Sequence, residues 1–419
     1  MVRVILVERR YPGEKSYLYE LRELAEAAGY EVVGEVVQVR APDSSYQIGR
    51  GKVEELAELV KTKEAQKVIF FNELKPVQVY NLQRKLGVEV IDRFELILEI
   101  FAQRAGSREA KLQIELARLK RQLPFIKEAL HLAKLDEYPG FLGGGEYVID
   151  AYYKHVVRRI ARIEEELYKL RRKKDERFYK RRERGIPFIS ITGYTGAGKT
   201  TLFKALTGKS GYVDGKPFAT LSTKTGRTSL LGRPALVSDT IGFIDSLPPL
   251  LLDSFYTTLG EVLHSDLVLL VVDVSDKLEE IERKALASLD VLEELGVDMG
   301  QIVIAANKID AVQVPLAERL SILEGLGAEV VPISALRGEG LEDLKASLLK
   351  HLPDYVRVHL ELPPNALYLV DELKSLGFVE KVEFLDGFVH VVGEGKISLV
   401  KRIGSRAEAE GGRYRIQRR

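Results

Sequence analysis

A chain of 419 residues, 45% hydrophobic and 30% charged, exceeds what one compact core usually holds, so two to four domains are expected. Lys and Arg total 63 against 62 Asp and Glu, which excludes a uniformly basic binder and leaves any nucleic-acid contact to local patches. There is no cysteine, which excludes disulfides, thiolate metal sites and cysteine nucleophiles, and no apolar run approaches the roughly 18 residues of a membrane span.

A reducing, cytoplasmic setting suits this composition. Abundant Lys, Arg and Glu with only two Met also resembles the composition of thermophile proteins. The apolar start at residues 2–7 is too brief for a signal segment and reads as a first strand. Residues 17–28 then read as a helix closed by Gly29, 31–39 as a strand, 52–61 as a helix, 67–71 as a strand, 76–86 as a helix closed by Gly87, and 88–91 as a strand. The alternation predicts a small α/β domain with a parallel sheet over residues 1–104. Its loop Tyr46-Gln47-Ile48-Gly49-Arg50-Gly51-Lys52 is either a turn leading into a helix or a contact for a phosphate oxygen of RNA or nucleotide.

Over residues 105–184 the period becomes helical. Leu112, Leu116, Leu119, Leu123, Ile126 and Leu130 form one stripe, and Ile149, Tyr153, Val156, Ile160, Ile163, Leu167 and Leu170 form another, beyond Gly143-Gly144-Gly145. The spacing predicts two long helices in an antiparallel hairpin, the first kinked or divided at Pro124, which lacks an N–H and crowds the preceding turn. Arg104, Arg108, Lys111, Arg118, Lys120, Arg121, Lys154, Arg158, Arg159 and Arg162 surround the stripes, and the second helix runs out into Arg171-Arg172-Lys173-Lys174 and Lys180-Arg181-Arg182. These cations make either a solvated face or a basic arm for RNA phosphates, with Phe178 and Tyr179 free to stack on bases.

Residues 185–352 return to alternating strands and helices. The apolar run 187–192 leads into Gly193-Tyr194-Thr195-Gly196-Ala197-Gly198-Lys199-Thr200, with Thr201 following. Strand, glycine loop and helix in that order bring backbone N–H groups onto a phosphate chain, Lys199 onto the β and γ phosphates, and the Thr200 hydroxyl onto Mg²⁺. Asp239-Thr240-Ile241-Gly242 follows another apolar run. There Asp239 suits the Mg²⁺ shell, acting through water, and the Gly242 N–H suits the γ phosphate. The strand 301–306 ends in Asn307-Lys308-Ile309-Asp310. A carboxylate at Asp310 accepts from both N1–H and the C2 amine of guanine, which adenine cannot offer. Ser334-Ala335-Leu336 is suited to place backbone N–H groups on guanine O6. Four motifs in this order predict a nucleotide site for GTP and GDP with Mg²⁺ as cofactor.

Residues 353–419 read as a small α+β domain: a strand at 355–362, a helix at 366–376, and a hairpin of 379–384 with 388–392 about Asp386-Gly387. The basic end, Arg413 to Arg419, is expected to be a frayed, solvated terminus, with a contact to RNA as the alternative. The six histidines, His131, His155, His264, His351, His359 and His390, have no ligand spacing, so no transition metal is expected.

These motifs resemble translation-factor-type P-loop GTPases, and their details resemble the HflX family. Phe218-Ala219-Thr220-Leu221 is similar to that family's switch I, where Thr220 is implied to complete the Mg²⁺ shell and sense the γ phosphate. Asp239-Thr240-Ile241-Gly242-Phe243-Ile244, with Leu247-Pro248, Phe255, Thr258, Leu259 and Glu261, is similar to its switch II. Ile48-Gly49-Arg50-Gly51-Lys52, Asn72-Glu73-Leu74, Asn81-Leu82, Asp92-Arg93, residues 100–105, Leu112-Gln113 and Glu115-Leu116-Ala117 resemble the family's N-terminal domain and first long helix. The resemblance spans about residues 1–350. It implies a GTPase; with the motifs above, Lys199, Thr220 and Gly242 are expected to serve catalysis, and the composition adds the expectation of a cytoplasmic protein that is not membrane-inserted, monomeric by default. Its implied partner is the ribosome, chiefly the large subunit and its rRNA.

Three departures stand out. Phe243 replaces the glutamine with which Ras-like enzymes orient water, so slow intrinsic hydrolysis is expected. Gly196 replaces the family's usual asparagine, which in related GTPases helps hold an activating potassium ion. Phe141-Leu142-Gly143-Gly144-Gly145-Glu146 replaces its Arg-Gly-Pro-Gly-Glu loop. An RNA-binding module with incidental hydrolysis, and a GTPase acting on a non-ribosomal protein or membrane partner, are the rival readings.

Overall fold

The computed structural model describes the chain except residues 135–144, 209–223, 241, 244–261, 314 and 419. Its contacts group the described residues into two units, Met1–Glu165 and the residues beyond Glu165. In the first, β1 (Val2–Arg10), β2 (Tyr30–Val39), β3 (Lys67–Phe70) and β4 (Glu89–Asp92) alternate with α1 (Leu18–Ala27), α2 (Arg50–Thr62), α3 (Pro76–Leu86) and α4 (Arg93–Arg104). The sheet is parallel, in the order β2-β1-β3-β4. Val4, Ile5, Leu6 and Val7 are all fully buried, as an unbroken apolar run in a parallel strand requires. The loop at 46–52 follows a turn and leads into a helix. Asp43 Oδ1 accepts from Ser45 N and Tyr46 N at 2.8 and 3.0 Å, and α2 begins at Arg50. Helix α4 was not expected, although its signal was in the chain: Asp92 caps it by accepting from Glu95 N at 3.1 Å.

Two long helices follow, α5 (Arg108–Lys134) and α6 (Gly145–Arg184). Pro124 lies inside α5, and the residues on both sides stay helical, so the helix is not divided there. Several cations expected on a free face are bound to carboxylates instead. Arg121 donates to buried Asp92 at 2.8 Å and covers the Phe94 ring at 4.6 Å. Arg118 pairs with Glu95, Lys120 with Glu164 and Arg159 with Glu115 at 2.6–2.8 Å. The expected Gly143-Gly144 turn lies outside the described residues. No helix among the described residues is long and apolar enough to cross a membrane.

In the second unit, β5 (Phe188–Gly193), α7 (Lys199–Thr207), β6 (Lys224–Leu230), β7 (Arg233–Asp239), β8 (Leu267–Asp273), α8 (Leu278–Glu294), β9 (Ile302–Asn307), α9 (Leu316–Glu324), β10 (Glu329–Ile333) and α10 (Leu341–His351) follow in order. Their sheet runs β10-β9-β8-β5-β7-β6, parallel except for the β6–β7 hairpin. Such a sheet gathers its loops at the carboxyl ends of the central strands. Phe178 of α6 packs here: its ring lies 4.7 Å from His264 and 5.8 Å from Phe188. It is not free to stack on a base, whereas Tyr179 is 69% exposed.

The chain ends in β11 (Tyr355–Leu362), α11 (Tyr368–Leu376), β12 (Phe378–Leu385), β13 (Phe388–Lys396), α12 (Ile397–Ala409) and β14 (Arg413–Arg418), an antiparallel sheet in the order β12-β13-β11-β14. The expected frayed terminus is therefore wrong. Arg413 to Arg418 pair along β11, and Tyr414 packs on the core while Arg413 and Arg415 face solvent. This sheet joins the preceding one through Arg233, whose Nη2 lies 2.7 Å from Glu394, and through Lys396, which pairs with Asp266.

Candidate functional site: a nucleotide pocket at the ends of the central strands

All six residues of β5 are buried, which places the loop after it at the middle of the sheet edge. Gly193 leaves the strand at φ +139°, and a Cβ there would stand 2.2 Å from the Val271 carbonyl oxygen on β8. Only glycine fits this approach. The chain then turns through Tyr194, Thr195, Gly196, Ala197 and Gly198 into α7, where Thr201 sits in the first turn. Gly198 has φ +95°, and a Cβ on it would meet Asn307 Nδ2 at 2.3 Å. These geometries follow from the glycine pattern itself.

Lys199 Nζ donates to Gly193 O at 3.0 Å and Tyr194 O at 2.7 Å, so the ammonium is held over the loop. Burial pushes its pKa down to about 8; the Asp239 carboxylate opposes that shift and the Lys308 charge adds to it. A desolvated cation of this kind attracts a phosphate chain. Thr200 Oγ1 donates to Asp239 Oδ2 at 2.9 Å. Hydroxyl and carboxylate are hard oxygen donors of the type Mg²⁺ takes, so these residues fit that ion.

Thr240 donates from both N and Oγ1 to Ile191 O, at 3.2 and 2.8 Å. The chain beyond it returns to the glycine loop: Phe243 N donates to Gly193 O at 2.9 Å, and Thr195 N donates to Phe243 O at 2.8 Å. Gly242 lies over the loop, where a Cβ would come within 2.8 Å of Lys199 Nζ. Phe243 itself is 3% exposed. Phe218, Ala219, Thr220 and Ile241 lie outside the described residues, as do Ile244 and the expected switch positions 247–261.

Opposite the phosphate loop stands the base side. Asn307 Nδ2 donates to Ala197 O at 2.7 Å, and its Oδ1 accepts from Ala335 N at 2.9 Å. One buried side chain thus braces two loops. Asp310 Oδ1 accepts from Ser334 Oγ at 2.6 Å, while Leu336 is 78% exposed. Lys308 takes a left-handed φ of +69° and pairs with Asp273 at 2.5 Å. The sequence pattern did not single out Asp273. Its signal was a carboxylate ending the apolar run of β8, the same cue that marks Asp239 on β7. Tyr194 also carries two cations near its ring, Arg283 at 5.6 Å and Lys284 at 5.1 Å, which only the tertiary fold brings together.

Comparison with known proteins agrees with this geometry. Residues 15–102 match the family described as GTP-binding GTPase N-terminal, 104–182 the GTP-binding GTPase middle region, and 188–308 the 50S ribosome-binding GTPase family. GTPase HflX of Thermofilum pendens is 54% identical over 401 residues, covering 94% of each chain. GTPase HflX of Thermococcus kodakarensis is 39% identical over 424 residues, covering 97% of this chain and 95% of its own. A crystal structure of SsGBP in complex with GDP superposes with a TM-score of 0.52 at 32% identity, over 84% of this chain and 98% of that one. The chain belongs to the HflX family and is a GTP-hydrolysing switch protein of that type.

Proposed function

We propose that this switch acts on the ribosome, chiefly the large subunit, and that the subunit completes a hydrolysis site the isolated chain lacks. The observation that carries the proposal is Phe243. The position that holds a water-orienting glutamine in Ras-like enzymes is here tied to the glycine loop through its own backbone, with its ring 3% exposed. No polar side chain acts from that position, and in this reading a group supplied by the partner completes the site. The match of residues 188–308 to a 50S ribosome-binding GTPase family supports that partner. So do the exposed cations Arg158, Arg162, Arg172, Lys173 and Lys180 of α6, with exposed Tyr168 and Tyr179 among them. Action on ribosomes places the protein in the cytoplasm.

In this reading Lys199 and the N–H groups of Gly196, Ala197 and Gly198 hold the phosphates, and Asp310, Ser334 and Ala335 hold guanine. Thr200 would hold Mg²⁺, with Asp239 acting through water and Thr220 as a further ligand; when bound, the ion would neutralise charge on the phosphates. Gly242 and Thr220 sense the γ phosphate, and hydrolysis releases the segments that carry them.

The test is GTP turnover by the full chain with and without purified large subunits, beside a Lys199→Ala variant and ATP. Stimulation of GTP turnover alone, lost in the variant, is expected. Intact nucleotide binding without stimulation would overturn the ribosomal reading. Salt-sensitive binding to naked RNA in that case would favour an RNA-binding module with incidental hydrolysis.

A further inference from the structure

Lys308 adopts a left-handed backbone, φ +69° and ψ 34°, which is unfavourable for a residue with a Cβ. The bend is useful. It comes between Asn307, which points back to the glycine loop, and Asp310, which points to Ser334. Three contacts hold it. Val274 N donates to Asn307 O at 2.9 Å, Asn307 braces its two loops, and the Lys308 ammonium pairs with Asp273 Oδ2 at 2.5 Å. Asp273 lies directly across the ladder from Asn307, one residue from the bend it restrains. Its other oxygen, Oδ1, accepts from Ser275 N at 2.9 Å and Ser275 Oγ at 2.6 Å, so the carboxylate is itself fixed on both sides. The Asp273 side chain is 13% exposed and that of Lys308 37%, which keeps the pair less screened than a surface contact.

We infer that Asp273 is a positioning residue for base recognition: by holding Lys308 it fixes the bend that aims Asp310, and thereby sets discrimination for the guanine C2 amine. The inference rests on the reading of Asp310 as the guanine acceptor. In this inference Asp273 acts through Lys308, with which it pairs. A loosened bend lets the Asp310 carboxylate move away from the amine while leaving the phosphate contacts in place. The consequence is a change in selectivity rather than a uniform loss of affinity.

The experiment uses the full-length protein and a fluorescent GDP analogue displaced by GDP or by IDP, whose hypoxanthine keeps N1–H and lacks the C2 amine. Asp273→Asn keeps the acceptor for Ser275 and removes the charge that holds Lys308; Lys308→Met removes the other partner. Wild type is expected to prefer GDP over IDP by about tenfold, the value of one good hydrogen bond to a charged acceptor. Asp310→Asn should collapse that preference. Asp273→Asn and Lys308→Met should each lower it about threefold, and the double variant should match either single one, since both break the same link. A preference unchanged in Asp273→Asn but lost in Asp310→Asn would overturn the inference. So would losses that multiply in the double variant, or equal weakening of GDP and IDP, which signals general loosening. If Asp310→Asn leaves the preference intact, the base-recognition reading itself is wrong and the inference falls with it.

Discussion

The side chain of Asn307 offers the sharpest test of how this pocket is held together. It is 2% exposed, and each end of its amide meets a different loop: Nδ2 the Ala197 carbonyl at 2.7 Å, Oδ1 the Ala335 N–H at 2.9 Å. Ala197 and Ala335 are themselves buried, at 2% and 5% exposure, so water cannot replace a lost partner. Asn307→Ala orphans one carbonyl and one N–H, each costing about 1–3 kcal/mol. The total, on the order of 3 kcal/mol, divides between folding and nucleotide affinity, and a share of 1.4 kcal/mol in affinity is a tenfold change. Asn307→Asp separates hydrogen bonding from packing. It is nearly isosteric and keeps the acceptor for Ala335, but it sets a carboxylate oxygen against the Ala197 oxygen with no proton between them. That substitution should be at least as damaging as alanine at neutral pH. Urea unfolding followed by circular dichroism, together with GDP titration, measures both shares. An Asn307→Asp protein within about 0.5 kcal/mol of wild type and within twofold in GDP affinity would refute the argument, because ordinary surface substitutions fall in that range.

Other substitutions test neighbouring parts of the argument. Gly193→Ala forces a Cβ to 2.2 Å from the Val271 oxygen at φ +139° and should cost at least about 2 kcal/mol in thermal stability while abolishing GDP binding. Arg233→Ala removes a guanidinium that donates to Glu394, whose side chain is 9% exposed, and that covers the Phe378 ring at 4.2 Å. A loss of about 3 kcal/mol is expected in urea unfolding, with a smaller loss when Glu394→Gln is added, since the buried charge is then gone. The Arg159 guanidinium hydrogen-bonded to Glu115 holds that carboxyl below its ordinary range, against a smaller opposing effect of burial. The stability it gives is present above the ordinary carboxylate pKa and is lost as pH falls through the lowered value. Because both side chains are about 40% exposed, Glu115→Gln should cost less than about 1 kcal/mol at pH 7 and almost nothing in high salt.

What the amino-acid order revealed, and what it hid, follow from how far each signal reaches along the chain. Strand, glycine loop and helix around Gly193 and Lys199 were legible because each needs only its neighbours: an apolar run, positive-φ positions and a helix start. Helix α12 was equally local and still passed unnoticed. Its buried Leu399, Val400, Ile403 and Ala407 form a helical stripe, but Gly404 interrupts the propensity. The structure gives the reason for that glycine, since a Cβ there would lie 2.5 Å from the Tyr414 ring. The same ring explains β14: its alternation of Arg413, Tyr414, Arg415 and Ile416 was visible, yet a terminus is expected to fray unless something ties it down. The pairing with β11 that ties it depends on residues 52 to 62 positions earlier, such as Val358 opposite Ile416. Asp273 marks the harder limit. A carboxylate at a strand end is a cue to binding only when the strand beside it is known, and the neighbour of β8 that matters is β9, which leads into Lys308. A motif names the residues that meet a ligand; the residues that aim them are chosen by strand order, which one sequence states only after the sheet is built.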